Sequence, residues 1–171
     1  MKVLIYTGGN ENLSDEQKSA GEEIFIRGIE EIFSEFVRQK GSIPAISEDV
    51  EISLTFVPKD AMADLNKKYR EVEGPTDVLS FPMWEDEKGS FAPPNDWETL
   101  QLGDIVVCPD IVAKNAADNG KSFAEETALV TFHGCLHLIG YDHYTDERRD
   151  EMWREQDAMV AALFARNEDK R

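Results

Sequence analysis

The 171-residue chain has the length of one domain with a single substantial core, so we expect one domain over residues 1–171. Its net charge of −17 excludes a general nucleic-acid-coating surface, because such surfaces are basic, and any nucleic-acid contact must therefore be local. The two cysteines, Cys108 and Cys135, exclude a disulfide framework and are expected to be reduced. Short apolar runs and the lack of a secretory signal pattern predict a cytoplasmic protein without a membrane segment.

Strand and helix patterns alternate from the N-terminus. A short strand is predicted over residues 2–6. The segment SDEQ, residues 14–17, resembles a capping box, and apolar residues at helical spacing follow it. Together they predict one long amphipathic helix over residues 15–40 that stops at Gly41. The alternation of apolar and polar residues in VEISLTFV, residues 50–57, predicts a strand with one buried face.

The middle of the chain continues this alternation. Apolar residues at helical spacing over 61–69 predict a helix, which Gly-Pro at 74–75 separates from a strand in DVLSFP, residues 77–82. Residues 83–101 are acidic, contain two adjacent prolines and predict an exposed excursion between strands. The segment LGDIVVCP, residues 102–109, predicts a further strand.

Three helices are predicted in the C-terminal part. A short one covers residues 110–119, and a second covers residues 122–140, beginning with a Ser-x-x-Glu capping box. The second helix is apolar on all sides, which is typical of a helix buried at the centre of a domain. The last runs from about residue 146 to 164 with Thr145 as N-cap, and the terminal NEDKR is expected to fray.

All three histidines of the chain lie in TFHGCLHLIGYDH, residues 131–143. His133 and His137 are four residues apart, so they share one helix face, with Cβ atoms about 5–6 Å apart. The stop at Gly140 lets the chain turn and bring His143 back towards the same point. Three nitrogen ligands with one position left open are typical of catalytic zinc. The sequence therefore predicts one zinc per chain.

These residues have two other interpretations. A single buried histidine is more often a core residue, but three side by side leave polar atoms that a metal would satisfy together. Cys135 lies about 200° round the helix from His133 and His137, which favours core packing over metal ligation.

The metzincin pattern H-E-x-x-H-x-x-G-x-x-H is matched at four of its five fixed positions. The glutamate that acts as the proteolytic base is replaced by Gly134, so the pattern does not predict a protease. We expect this glycine to leave space beside the metal for a tetrahedral group such as a phosphodiester.

A basic cluster precedes the histidines in the chain and consists of Lys67, Lys68 and Arg70. Such a cluster has two explanations. It can be a solvated helix end, where cations favour the negative end of the helix dipole, or it can bind an anion. The spacing of the residues does not decide between them.

The segment HGCLHLIGYDH fits the signature H-G-x-L-H-L-x-G-Y-D-H at every fixed position, and YREVEGPTDVLSFP and LGDIVVCPDIV lie upstream. By these segments the sequence resembles the YbeY endoribonucleases, bacterial factors for ribosomal RNA maturation and ribosome quality control. The resemblance implies an α+β domain with a small mixed four-stranded sheet packed by about five helices. It also implies zinc on His133, His137 and His143, and a catalytic role for Arg70.

The function expected from this resemblance is hydrolysis of single-stranded RNA, with Arg70 stabilising the charge that develops on the phosphate. The expected partners are ribosomal RNA and the small ribosomal subunit with its assembly factors, and not DNA or a membrane. Two alternatives remain open: a zinc metallopeptidase, which the histidine spacing favours, and a ribosome-assembly factor whose zinc is structural.

Overall fold

A four-stranded mixed sheet forms the centre of the computed structural model, which describes the backbone of residues 1–169 and the side chains of residues 1–166. In chain order the strands and helices are β1 (Lys2–Gly8), α1 (Glu23–Lys40), β2 (Asp49–Phe56), α2 (Lys59–Arg70), β3 (Val78–Pro82), β4 (Thr99–Val107), α3 (Pro109–Asp118), α4 (Phe123–Leu138) and α5 (Asp146–Asp169). The strand order is β1-β2-β4-β3, in which β3 alone is antiparallel to its neighbour. The predicted α+β class, with four strands and about five helices, is confirmed.

The main core lies between one face of the sheet and the helices α1, α4 and α5. It forms because β2 alternates strictly between buried and partly exposed residues, as the period-two pattern predicted. Helix α4 is buried on nearly all sides, as its apolar composition predicted. Cys108 and Cys135 are both free and fully buried, and Cys135 packs in this core as expected.

A smaller cluster on the opposite face of the sheet positions α2. Met62 of α2, Leu79 of β3 and Cys108 are its buried members, and Val106 packs against them. Because Val106 lies between two core residues of β4, its side chain points away from the main core. Strand β3 is an edge strand of the sheet, so its free edge runs between α2 on one side and α4 on the other.

The predicted start of the first helix is wrong. Gln17 does accept a hydrogen bond from the Ser14 backbone N–H, at 3.0 Å, but α1 begins only at Glu23. The cause is tertiary packing, because Leu13 is buried and folds back onto Gly21. A Cβ at Gly21 would lie only 2.7 Å from Leu13 Cδ1. In one continuous helix, two residues eight apart are separated by about 12 Å along the axis, so this contact requires the chain to turn between them.

The two later caps were predicted correctly. In α4, the Ser122 side chain accepts from the Glu125 N–H at 3.1 Å, and the Glu125 carboxylate accepts from the Ser122 N–H at 2.8 Å. At the start of α5, the Thr145 hydroxyl accepts from the Arg148 N–H at 3.2 Å. Helix α5 is continuous to Asp169, so the backbone of the first three residues of NEDKR is helical, and residues 170–171 lie outside the described residues.

Replacing Ser122 by alanine should lower the free energy of unfolding by about 1 kcal/mol, because one N-terminal N–H of α4 loses its acceptor. Ser14→Ala is the matched control, since Ser14 is exposed and does not cap a helix; its effect should stay within about 0.5 kcal/mol. Denaturant unfolding measures both variants. Equal losses in the two would contradict the assignment of the caps.

Residues 83–101 form an ordered excursion whose last three residues already belong to β4. Glu85 and Phe91 form an isolated antiparallel bridge within it, and Phe91 packs on Gly140, just beyond the end of α4. The excursion therefore reaches the segment that carries His143. Within the described part of the chain, every helix is too short or too polar to cross a membrane.

Candidate metal centre

The three histidines converge at the C-terminal end of α4. One ring nitrogen from each of His133, His137 and His143 lies within 4.8 Å of the other two. The Nε2 atoms of His133 and His137 are 3.0 Å apart, and the ring of His143 is 5.2 Å from that of His137, centroid to centroid. His133 and His137 are partly buried, whereas His143 is exposed. That the three bind a metal stays a prediction.

In His133 and His137, the hydrogen bond made by the outer ring nitrogen, Nδ1, determines whether the inner nitrogen, Nε2, carries a proton. His137 Nδ1 lies 2.9 Å from the carbonyl oxygen of Tyr141, which can only accept, so Nδ1 carries the proton. His133 Nδ1 lies 2.9 Å from Gln156 Oε1, also an acceptor. In the neutral rings both Nε2 atoms therefore present lone pairs to each other.

Two lone pairs 3.0 Å apart cannot form a hydrogen bond with each other. A cation between them satisfies both, and two ligands of a tetrahedral site with bonds of about 2.0–2.1 Å are roughly 3.3 Å apart. The residues present thus fit a divalent metal that accepts imidazole ligands. The outer acceptors correspond to the partners that orient metal-binding histidines in proteins.

Burial keeps the two helical rings neutral. It lowers the pKa of His137 to about 4, and the neighbouring imidazole of His133 adds to the effect. The pKa of His133 is also lowered by burial, partly offset by its hydrogen bond to Gln156. At neutral pH both rings are therefore unprotonated at Nε2 and can donate to a metal.

The turn after α4 brings His143 to the cluster, as the sequence predicted. Gly140 has a φ of 92°, in the region that favours glycine, and Phe91 leaves no room for a Cβ there. The following residues are held by Asp142, whose carboxylate accepts from the Tyr144 N–H at 3.1 Å and from the Arg148 side chain at 2.9 Å. This ties the histidine-bearing segment to the first turn of α5.

The expectation that Gly134 leaves space beside the histidines is wrong. A Cβ at this position would lie 3.0 Å from two side-chain atoms of Ile105 on β4, so Gly134 faces the sheet. The glycine serves the close approach of α4 to the sheet rather than the access of a substrate. The error arose because the sequence does not say which side of a fully buried helix faces the sheet.

Sequence reasoning missed Gln156, which lies on α5 and contacts His133. One signal was available. Met152, Met159 and Leu163 are buried on the same helix, and Gln156 is the polar residue at the matching spacing on that face. A buried polar side chain needs a partner, and here the partner is a ring nitrogen.

Gln156→Leu should weaken metal binding about 10- to 100-fold, because the His133 ring loses the acceptor that fixes its orientation and tautomer. Gln156→Glu retains an acceptor and should retain most of the affinity. Competition against a chromophoric chelator measures the affinity of each variant. Unchanged affinity in the leucine variant would remove Gln156 from the site.

The histidines open onto a cleft of about 600 Å³ that runs along the free edge of β3. Arg70, the last residue of α2, lines this cleft together with His133, His137 and His143. It is the only arginine or lysine among the described residues that line the cleft. The structure thus brings together the four residues that the sequence singled out.

The other two members of the basic cluster, Lys67 and Lys68, are not among the described residues that line the cleft. Lys67 forms an exposed ion pair with Glu73 at 3.2 Å, and Lys68 Nζ lies 5.0 Å from the ring centroid of Tyr69. Arg70 forms no ion pair with any described residue. Its guanidinium is therefore available to an anion in the cleft.

The fold and this site together define a class, the α+β proteins in which three converging histidines suit a divalent metal. A family model described as Endoribonuclease YbeY matches residues 12–163. The chain belongs to the YbeY endoribonuclease family.

Relatives and a solved structure agree with this assignment. The Endoribonuclease YbeY of Corynebacterium aurimucosum is 44% identical over 122 residues, which are 70% of this chain and 64% of that protein. That of Mycolicibacterium gilvum is 43% identical over 120 residues, 70% of this chain and 67% of that protein. The match thus spans about two thirds of the length of these relatives. The solution structure of TM1509 from Thermotoga maritima is 29% identical, with a TM-score of 0.60, and covers 98% of this chain and 93% of that one.

Proposed function

We propose that this chain is a zinc-dependent, single-strand-specific endoribonuclease of the cytoplasm that acts in ribosomal RNA maturation and ribosome quality control. One observation carries the proposal: two neutral imidazoles aim their lone pairs at one point, in a cleft that also contains an arginine with no ion pair to any described residue. The printed names of the relatives, which describe endoribonucleases, support the reaction class.

In this proposal His133, His137 and His143 hold the zinc, which supplies Lewis acidity at the phosphate when bound. Arg70 binds two non-bridging phosphate oxygens through its planar guanidinium and stabilises the negative charge that grows on them. Tyr141 and Gln156 keep the helical histidines oriented through their outer nitrogens. Since His143 is exposed, the site is open to a chain that enters from solvent.

A metallopeptidase is the second candidate, and one observation favours it. The free edge of β3 beside the histidines could pair with an extended peptide, as edge strands do in peptide recognition. The replacement of the proteolytic glutamate by Gly134, which faces Ile105, counts against it. A third candidate, the ribosome-assembly factor with structural zinc, predicts metal without hydrolysis.

One experiment separates the three candidates. Zinc-loaded protein is incubated with labelled single-stranded RNA and with casein, each with and without a chelator. The nuclease predicts chelator-sensitive cleavage of the RNA alone. Cleavage of casein alone would establish the peptidase, and no cleavage of either by metal-loaded protein would favour the assembly factor.

RNA binding by the isolated protein should be weak and only mildly dependent on salt. The chain has a net charge of −17, and Arg70 in the cleft, with Lys68 over the neighbouring Tyr69 ring, offers about two or three phosphate contacts, each worth a slope of roughly −0.7 in log K against log salt. Fluorescence anisotropy over a salt series measures this slope. A much steeper slope would reveal a basic surface outside the cleft, whereas a shallow one supports delivery of the substrate by the small ribosomal subunit and its assembly factors.

A further inference from the structure

Two exposed tyrosines stand beside the residues of the proposed chemistry. Tyr69 directly precedes Arg70, Tyr144 directly follows His143, and both line the same cleft. The side chain of Tyr69 is 55% exposed and that of Tyr144 is 87% exposed. The Tyr144 ring, which is almost fully open, contributes little to folding, since the stabilising effect of an aromatic ring depends on its burial.

The Tyr144 ring projects from a fixed backbone. The backbone N–H of Tyr144 donates a hydrogen bond to the Asp142 carboxylate, and the side chain of Arg148 on α5 donates to the same carboxylate. The ring centroid lies 6.2 Å from that of His143, with the planes tilted by 54°, so the ring does not stack flat on its neighbour. The ring therefore has a flat surface free for a ligand, close to the histidines.

Tyr69 lines the same cleft and is held more firmly, because it packs against β3. Its ring meets that of Phe81 on β3 edge to face, with the centroids 5.0 Å apart. Lys68 Nζ lies over the Tyr69 ring, 5.0 Å from its centroid, so a base that stacks on this face takes the place of an exposed lysine side chain. An aromatic ring with a lysine and an arginine beside it suits a ligand that alternates flat rings with phosphates.

We propose that Tyr69 and Tyr144 are stacking platforms for the nucleobases on either side of the phosphate held at Arg70 and the histidines. The inference rests on the proposed function and deepens it by naming the residues that require an unpaired strand. A base stacks on a tyrosine only when it is unstacked from its neighbours, which a duplex prevents. Because every base has a flat face, the platforms favour single strands with little sequence preference.

The test uses metal-loaded protein and a six-nucleotide single-stranded RNA that contains 2-aminopurine, whose fluorescence falls on stacking. Tyr144→Ala should raise the Kd about 5- to 100-fold, the range for one lost stack, and should relieve the quenching. Tyr144→Phe keeps a flat ring and should bind like the wild type. Tyr69→Leu keeps an apolar contact with Phe81 but not the flat ring, and should also weaken binding.

Tyr6→Ala is the matched control, because Tyr6 is 57% exposed but lies on β1 and lines a different depression. Its Kd should equal that of the wild type. An RNA with abasic sites in place of the bases gives a second control. If the platforms act by stacking, Tyr144→Ala should not weaken binding of the abasic RNA further.

The outcomes separate this inference from the proposed function. A Tyr144→Ala enzyme that binds as tightly as the wild type and still cleaves RNA would overturn the platform and leave the nuclease standing. Equal weakening for the normal and abasic RNAs would also overturn stacking. If RNA binding weakens in Tyr144→Ala but not in Tyr69→Leu, Tyr69 is not a platform. A wild type that neither binds nor cleaves RNA would overturn both proposals.

Discussion

A His137→Ala variant is expected to lose stoichiometric zinc binding and, with it, RNA cleavage. His137 lies close to both other histidines of the cluster: its Nε2 is 3.0 Å from His133 Nε2, and its ring centroid is 5.2 Å from that of His143. Removing it leaves two ligands, too few for the three-ligand site that catalytic zinc needs. Elemental analysis measures the zinc, which should fall from about one per chain to a small fraction.

The same variant should lose the rise in melting temperature that zinc gives the wild type. A ligand that binds only the folded state stabilises it by about 2.7 kcal/mol when present at 100 times its Kd. Cys135→Ala is the control for metal content, since Cys135 is buried in the core on the same helix and should not be a ligand. A metal-free His137→Ala enzyme with full activity would refute the zinc mechanism, and zinc loss in Cys135→Ala would reopen the choice of ligands.

Arg70→Ala should lower the rate of RNA cleavage by about 10²- to 10³-fold while zinc content and folding stay intact, the loss typical of one donor to a developing charge. The structure supports an effect on cleavage without an effect on zinc content, because Arg70 lies on α2, outside the three-histidine cluster, and lines the cleft. Single-turnover cleavage at equal zinc occupancy measures the effect. Arg70→Lys keeps the charge but loses the two-pronged geometry, so it should recover only part of the rate.

Lys67→Ala is the matched control at the same helix end. Lys67 is exposed, pairs with Glu73 and is absent from the described residues that line the cleft, so its loss should leave the rate nearly unchanged. If Arg70 only favours the helix dipole, both alanine variants lose a fraction of a kcal/mol of stability and no activity. Equal cleavage by the wild type and Arg70→Ala would thus favour the assembly-factor alternative.

The elements that were predicted well are those whose signal is local. The capping box of Ser122 and Glu125 needs residues three apart, and the strand β2 shows its buried face by alternation alone. The start of α1 was predicted wrongly because its position does not depend on local residues alone. Its local signal at Ser14 was sound, but the burial of Leu13 against Gly21 determines where the helix begins, and that contact belongs to the folded chain.

The candidate site also has features that local sequence predicted and features that depend on packing. The helical spacing of His133 and His137 and the turn at Gly140 predicted that three imidazoles meet, and they do. The orientation of Gly134 towards Ile105 and the hydrogen bond from Gln156 were out of reach, because they depend on how α4 packs between the sheet and α5. Spacing along one helix cannot specify what lies across from it.

The sequence by itself determined that His133, His137 and His143 meet, because helix and turn periodicity set their geometry, and its resemblance to the YbeY endoribonucleases supplied the fold class, the family and Arg70. Only the tertiary structure decided that Arg70 lines the same cleft as the histidines, beside the edge strand β3. It also decided which acceptors hold the imidazoles and which tyrosines remain exposed beside them. These are relations between residues distant in the chain, fixed by the packing of the helices on the sheet, and periodicity carries no information about that packing.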